Sequence, residues 1–212
     1  MEQKRVLALG FFDGVHLGHG ALLKAARQAA DRLGCPAAVL TFDRHPGELV
    51  SGTRIPLLNT AEDRADLMKR LYGMDEVLFG HFDRAMMEMP WKSYVGEYLV
   101  QTLGAVHVVC GHDHHFGWRG EGNPTRLRQA CSQFGIGCDV VQKVTLHGTT
   151  VSSTYVRKLL EAGQMEEAVE FLGHPHVLSG TVVRGRQLGR QLGTPTANLL
   201  LPEVILPPAF GV

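Results

Sequence analysis

The sequence predicts an α/β fold, a doubly wound five-stranded parallel sheet, followed by a short segment of different texture. Three observations carry this. Five short apolar runs, at 5–9, 36–42, 75–80, 106–111 and 137–141, alternate with stretches of helical apolar spacing. A strand, a helix and a second strand in succession imply a right-handed parallel crossover. Glycine-rich and histidine-rich segments follow the first and fourth runs, at strand C-termini, where open sheets of this kind bind ligands.

Taken in order, Arg5-Val6-Leu7-Ala8-Leu9 is the first buried strand. Residues 20–33 have helical spacing and stop at Gly34. Pro36 to Phe42 is the second strand, with a loop Asp43-Arg44-His45-Pro46-Gly47 at its end. Thr60 caps a helix to about Leu71, with Asp63 three residues on, and Gly73 stops it. Asp75 to Gly80 is the third strand. Pro90 to Leu103 reads as one long helix, opened by proline and ended by Gly104. Val106 to Gly111 is the fourth strand and carries the densest apolar signal. A helix from about Thr125 to Phe134 leads to the fifth strand, Gly137 to Val141. Helices at 155–162 and 165–172 follow. After Gly173-His174-Pro175 come a strand at 177–183, a basic glycine-punctuated loop and a proline-rich end. The domain boundary falls near residue 174, giving units 1–173 and 174–212, and the second is too short for a core of its own.

Composition narrows the function. Lys and Arg (21) balance Asp and Glu (21), so there is no broad basic field for nucleic acid or for a membrane surface. No apolar run approaches the length that crosses a bilayer, and the N-terminal run is too short for a signal peptide. Cys35, Cys110, Cys131 and Cys138 show no paired spacing and read as reduced thiols of a cytoplasmic protein. The expected partners are small-molecule substrates, with a weak homo-oligomer left open.

The stretch Gly10-Phe11-Phe12-Asp13-Gly14-Val15-His16-Leu17-Gly18-His19-Gly20 joins the first strand to the first helix. Its glycines allow sharp turns and close approach, and a helix N-terminus offers free N–H groups to an anion. His16 and His19, three residues apart, can face one phosphate chain, with Gly18 leaving room between them. Asp13 either caps the helix or touches ligand. Ser152-Ser153-Thr154 opens a later helix beyond the fifth strand. The triplet is either an N-cap run or a set of hydroxyls for a leaving pyrophosphate, with Arg157 one turn on as a fixed cation. Phe42 and Phe116 are aromatics near strand ends that either stack on a flat ring or pack in the core. Three histidines and Asp113 between Gly111 and Gly117 suit a zinc ion poorly, because adjacent side chains seldom converge on one ion.

The string Gly-Phe-Phe-Asp-Gly-Val-His-Leu-Gly-His at 10–19 resembles the prokaryotic bifunctional riboflavin kinase/FAD synthetases of the nucleotidylyltransferase superfamily. Four further strings match in order. Val-Ser-Ser-Thr-x-x-Arg at 151–157 is similar to the family's second nucleotide motif, with Tyr155 where a basic residue is common. Thr41 to Pro46 is similar to its Thr-Phe-acidic-Pro-His-Pro loop, with Arg44 for the first proline. Gly111 to Gly117 resembles its flavin loop, with His114 replacing an aromatic. Gly185 to Asn198 resembles the riboflavin kinase signature. The resemblance implies transfer of the adenylyl group of ATP to FMN, giving FAD and pyrophosphate with Mg2+, and riboflavin phosphorylation in a full-length form. It implies catalytic roles for His16, His19 and Arg157. It implies ATP contacts at those three and at Gly10, Phe11, Asp13, Gly14, Gly18, Ser152, Ser153 and Thr154. Flavin contacts would fall to Phe42, His45, Asp113 and Phe116. Magnesium in the kinase fragment would be held by Thr196 and Asn198. The alternatives are a flavin-binding module of reduced activity, or a nucleotidylyltransferase with another phosphate acceptor.

Overall fold

The five apolar runs form β1 (Arg5–Leu9), β2 (Ala37–Phe42), β3 (Glu76–Gly80), β4 (Ala105–Gly111) and β5 (Gly137–Val141) of one sheet. All four pairings are parallel, in the order β3-β2-β1-β4-β5. The computed structural model describes residues 3–186 and 193–209. The winding reverses between β1 and β4, so their C-terminal ends border the switch-point crevice of such sheets.

Alternation along β1 explains the layers. Val6 and Ala8 pack with α1 (Leu17–Leu33) and α3 (Ala61–Tyr72), through Leu22, Leu23, Ala26, Leu67 and Met68. Leu7 and Leu9 point the other way, into Tyr94, Val95 and Leu99 and into Leu127 of α6 (Pro124–Gln133). A third cluster joins α7 (Ser153–Glu161) and α8 (Met165–Leu172) through Val156, Leu159, Leu160, Phe171 and Leu172.

Several boundaries differ from expectation. The first helix begins at Leu17, three residues early, because the His16 side chain caps it. The expected helix at 90–103 is a short α-turn, Trp91–Ser93, continued by a π-helical stretch, Tyr94–Thr102. It ends before Gly104, at φ 66°. Three short elements escape the sequence pattern: helices α2 (Pro46–Ser51) and α4 (Arg84–Glu88), the latter just before the Trp91–Ser93 turn, α5, and a hairpin of Thr145–Leu146 with Thr149–Thr150. The strand expected at 177–183 contracts to Thr181–Val183, paired antiparallel with Asn198–Leu200. The Val177 carbonyl, outside the ladder, accepts from the Asn59 side-chain amide at 3.1 Å.

The tail returns to the sheet domain. The Leu57 amide donates to the Val204 carbonyl at 2.8 Å, the Leu206 amide to the Leu57 carbonyl at 2.8 Å, and the Ala209 amide to the Leu160 carbonyl at 3.1 Å. Ile205 and Leu206 are buried there. Val182, Val183, Leu199 and Leu200 of the tail hairpin stay exposed.

Candidate functional site

The turn after β1 is held in costly backbone. Phe12 (φ 60°), Gly14 (φ 79°) and Val15 (φ 44°) are all left-handed. Two non-glycine residues in that region are uncommon, and such strain persists where surrounding packing over-determines it. Here Phe12 and Val15 are fully buried. A side chain at Gly14 is disfavoured by the left-handed backbone and by a Cβ that would lie 2.5 Å from buried Leu58 Cδ1.

The turn delivers two imidazoles. The His16 ring caps the start of the first helix, its Nδ1 accepting from the His19 amide at 3.3 Å. The two rings stack with centroids 3.6 Å apart and planes 13° from parallel. Burial pushes the His16 pKa down to about 4, with the nearby Arg157 charge adding to the effect. Burial first, then the charges of His16 and Arg64, hold His19 well below the usual histidine range. Both rings are therefore neutral at neutral pH. Gly18 is also confined, because a Cβ there would come 3.1 Å from the His16 ring.

These depressed values fix a pH dependence. His16 and His114 are pushed to about 4, and His19, His45 and His176 are lowered, in each case chiefly by burial. The unfolded chain binds more protons than the folded one once pH falls below about 6.5, so this stabilisation is present above that pH. It is lost as pH falls towards 4, and His16 alone accounts for about 3 kcal/mol. The expected result is a denaturant midpoint that drops between pH 7 and pH 4.5; urea titrations at half-unit steps check it.

Asp13 does not cap a helix. Its carboxylate, 2% exposed, accepts from the amides of Leu58 at 2.9 Å and Asn59 at 3.4 Å. It also pairs with Arg157 Nη2 at 2.6 Å. Arg157 donates again through Nε to the Pro56 carbonyl at 2.7 Å. The Ser153 hydroxyl donates to the Asp13 carbonyl at 2.9 Å, and Ser152 caps its helix by accepting from the Tyr155 amide at 3.2 Å. The late hydroxyl segment is thereby bolted to the first turn, across 140 residues of sequence. Tyr155 turns away, its hydroxyl on Glu167 and its ring against Phe171.

These segments border one cleft of about 580 Å3. Of the expected residues, Gly10, Phe11, Asp13, His16, Gly18, His19, Ser152, Ser153, Thr154 and Arg157 line it, as do His45 and Asp113. Gly14 sits behind the wall, against Leu58. Phe42 and Phe116 do not line the cleft. Phe42 packs edge-on against Phe82 at 5.0 Å, and Phe116, 7% exposed, packs on Tyr94 at 5.0 Å. Thr196 and Asn198 lie exposed in the tail. Part of the kinase-like string, residues 187–192, lies outside the described residues. Gln142 and Lys143 also line the cleft, and sequence reasoning passed over them. Their signal was position alone, directly past the end of β5.

Arg64 was missed too. Fully buried, it donates to the Phe11 carbonyl at 2.6 Å, the Thr41 hydroxyl at 3.3 Å and the Phe42 carbonyl at 3.1 Å. Its guanidinium lies 4.1 Å from the centre of the Phe11 ring, which meets His45 edge-on at 4.7 Å. It therefore clips the ends of β1 and β2 together beneath the cleft. Arg64→Met would leave two strand-end carbonyls without this donor, at about 1–3 kcal/mol each. A fall in Tm by calorimetry is the expected result.

A family model described as FAD synthetase matches residues 1–155, and one described as riboflavin kinase matches residues 172–212. A bifunctional riboflavin kinase/FMN adenylyltransferase from Listeria monocytogenes is 41% identical over 98% of this chain and 66% of its own length. The Bacillus subtilis protein of that description is 33% identical over 100% of this chain and 66% of its own, and the Pseudomonas fluorescens one is 37% identical over 95% and 65%. The chain thus spans just under two thirds of the relatives it matches. A crystal structure described as a macrolide-efflux protein from Streptococcus pneumoniae superposes with TM-score 0.85 at 27% identity, over 100% of this chain and 68% of the other. Among the described residues here, no helix is long and apolar enough to cross a membrane.

Proposed function

This chain belongs to the FAD synthetase family, and on that premise we propose that it transfers the adenylyl group of ATP to FMN, releasing FAD and pyrophosphate. One observation carries the reading. The Gly10–His19 turn and the Ser152–Arg157 segment border the same cleft, tied together by Asp13, Arg157 and Ser153.

The phosphate oxygen of FMN is already a nucleophile, so no covalent group on the protein is required. The work left is alignment with the α-phosphorus and stabilisation of charge on the departing pyrophosphate. Neutral His16 and His19 donate hydrogen bonds to phosphate oxygens without the desolvation cost of a buried cation. The amides that open α7, the Thr154 hydroxyl, Arg157 and Lys143 supply further donors and charge from the opposite wall.

Among the described residues, no cluster of three or more His, Cys, Asp or Glu is placed to hold a metal ion. Asp13 is engaged by Arg157 and two amides. That donor set suits Mg2+ carried in by the phosphates rather than caged by protein, and the ion would neutralise phosphate charge. The riboflavin kinase match at 172–212 supports phosphorylation of riboflavin to FMN by the whole protein, and a cytoplasmic site fits substrates of this kind. Incubation with ATP, Mg2+ and FMN, followed by separation of FAD, tests the transfer. A parallel incubation with riboflavin tests the kinase. Absence of FAD at saturating substrates overturns the proposal.

A further inference from the structure

The stretch between α2 and α3 carries no helix or strand, yet four of its residues, Pro56 to Asn59, are hydrogen-bonded on two sides. One side holds the Asp13–Arg157 pair. The Pro56 carbonyl accepts from Arg157 Nε at 2.7 Å, and the amides of Leu58 and Asn59 donate to the Asp13 carboxylate at 2.9 and 3.4 Å. The other side meets the chain beyond residue 172. Both backbone groups of Leu57 are used there, its amide on the Val204 carbonyl and its carbonyl accepting from the Leu206 amide, each at 2.8 Å. The Leu58 carbonyl accepts from His176 Nε2 at 3.3 Å, and the Asn59 side-chain amide donates to the Val177 carbonyl at 3.1 Å.

Pro56 to Asn59 thus form a strap between the two matched units. The strap and Asp13 lie within residues 1–155, and its outer partners lie within 172–212. Leu58 anchors it, fully buried in one apolar cluster with Val156 and Leu206. The Ala209 amide reaches the Leu160 carbonyl of α7 at 3.1 Å, so the tail also holds the helix that carries Arg157. The strap stands behind the cleft wall and does not border the cleft. Its influence there runs through Arg157, whose guanidinium bonds one strap carbonyl and one carboxylate that strap amides hold. A cation fixed in this way keeps its place only as well as the strap keeps its own.

We propose that docking of residues 204–206 on Leu57 sets the position of Arg157 in the cleft through this strap, so that Leu206 is a positioning residue for adenylyl transfer and the two units are coupled. The reaction it serves rests on the adenylyl-transfer reading, but the tie itself can be read without substrate.

Residue-resolved amide hydrogen exchange on the full chain, with Leu206→Asp to release the tail, supplies that test. The expected result is exchange about tenfold faster at the Leu58 and Asn59 amides, with the β1 amides still protected. In the FAD assay the same variant lowers kcat by about 10² and leaves KM for FMN unchanged. Leu206→Met, close in volume, restores both readings. Unchanged exchange at Leu58 and Asn59 in a folded Leu206→Asp protein overturns the proposal, as does an unchanged kcat. If the variant does not fold, the wild-type chain decides. Coupling is reciprocal, so ATP and Mg2+ without FMN should slow exchange at the Leu57 and Leu206 amides about tenfold. Slowing at the Gly18 amide alone overturns the coupling, and slowing at neither end removes the transfer reading together with it. A strap that loosens in Leu206→Asp, in a protein whose wild-type form makes no FAD, keeps the tie and removes the transfer reading instead.

Discussion

Replacing His19 by alanine is expected to lower kcat for FAD formation by about 10²–10³, the usual effect of removing one preorganised donor from a developing charge. The ring is placed for that role by the backbone. It sits in the first turn of α1, stacked on His16 at 3.6 Å and leaning on Phe12 at 5.2 Å. Being neutral, it donates without first shedding a tightly held hydration shell. Alanine removes the donor and leaves the α1 cap in place, because the cap uses the His19 amide and the His16 ring. Circular dichroism should thus show a folded protein whose rate of FAD release is low. A variant that turned over at the wild-type rate would end the assignment of this ring to phosphate.

Arg157→Met should cost both stability and activity. The guanidinium is the partner of a carboxylate only 2% exposed, and stripping one member from a buried pair costs about 3–5 kcal/mol. For a chain of this size that corresponds to a Tm lower by about 10 °C. It also removes a fixed cation from the cleft, so FAD formation should fall by more than 10². Arg157→Lys separates the contributions. It keeps a charge near Asp13 but cannot also hold the Pro56 carbonyl through a planar fork. Intermediate melting with weak turnover is expected from paired thermal and kinetic measurements. Full thermal stability in Arg157→Met would show that Asp13 needs no partner.

The sheet was legible because its strands are short apolar runs separated by helices with readable stops: Gly34, Gly73 and Gly104 each lie at a helix end in left-handed backbone. Both segments that border the cleft were legible because a glycine- and histidine-rich turn after a strand and a hydroxyl run before a helix are local signals. What was hidden is long-range. Nothing near Arg64 in sequence announces that it meets carbonyls at 11 and 42. Nothing near Asp13 announces a bond to Arg157, 144 residues on. The hairpin at 145–150 did carry a signal, since His147 and Gly148 are its two turn residues, both with positive φ. Its two-residue strands gave no alternation to notice. For Phe42 and Phe116 the sequence left a platform and core packing open, and the structure shows packing contacts to Phe82 and to Tyr94.

The small contact at the mouth of α1 has one more consequence. A ring nitrogen that receives a hydrogen bond from an amide has its lone pair directed there and carries no proton. In the uncharged His16 ring the single proton therefore resides on Nε2, leaving that edge as the donor. Shifting the proton to the other nitrogen would uncap the helix. The amide of one histidine thus dictates the tautomer of its neighbour, and the helix terminus and the polarity of the ring's other edge stand or fall as one.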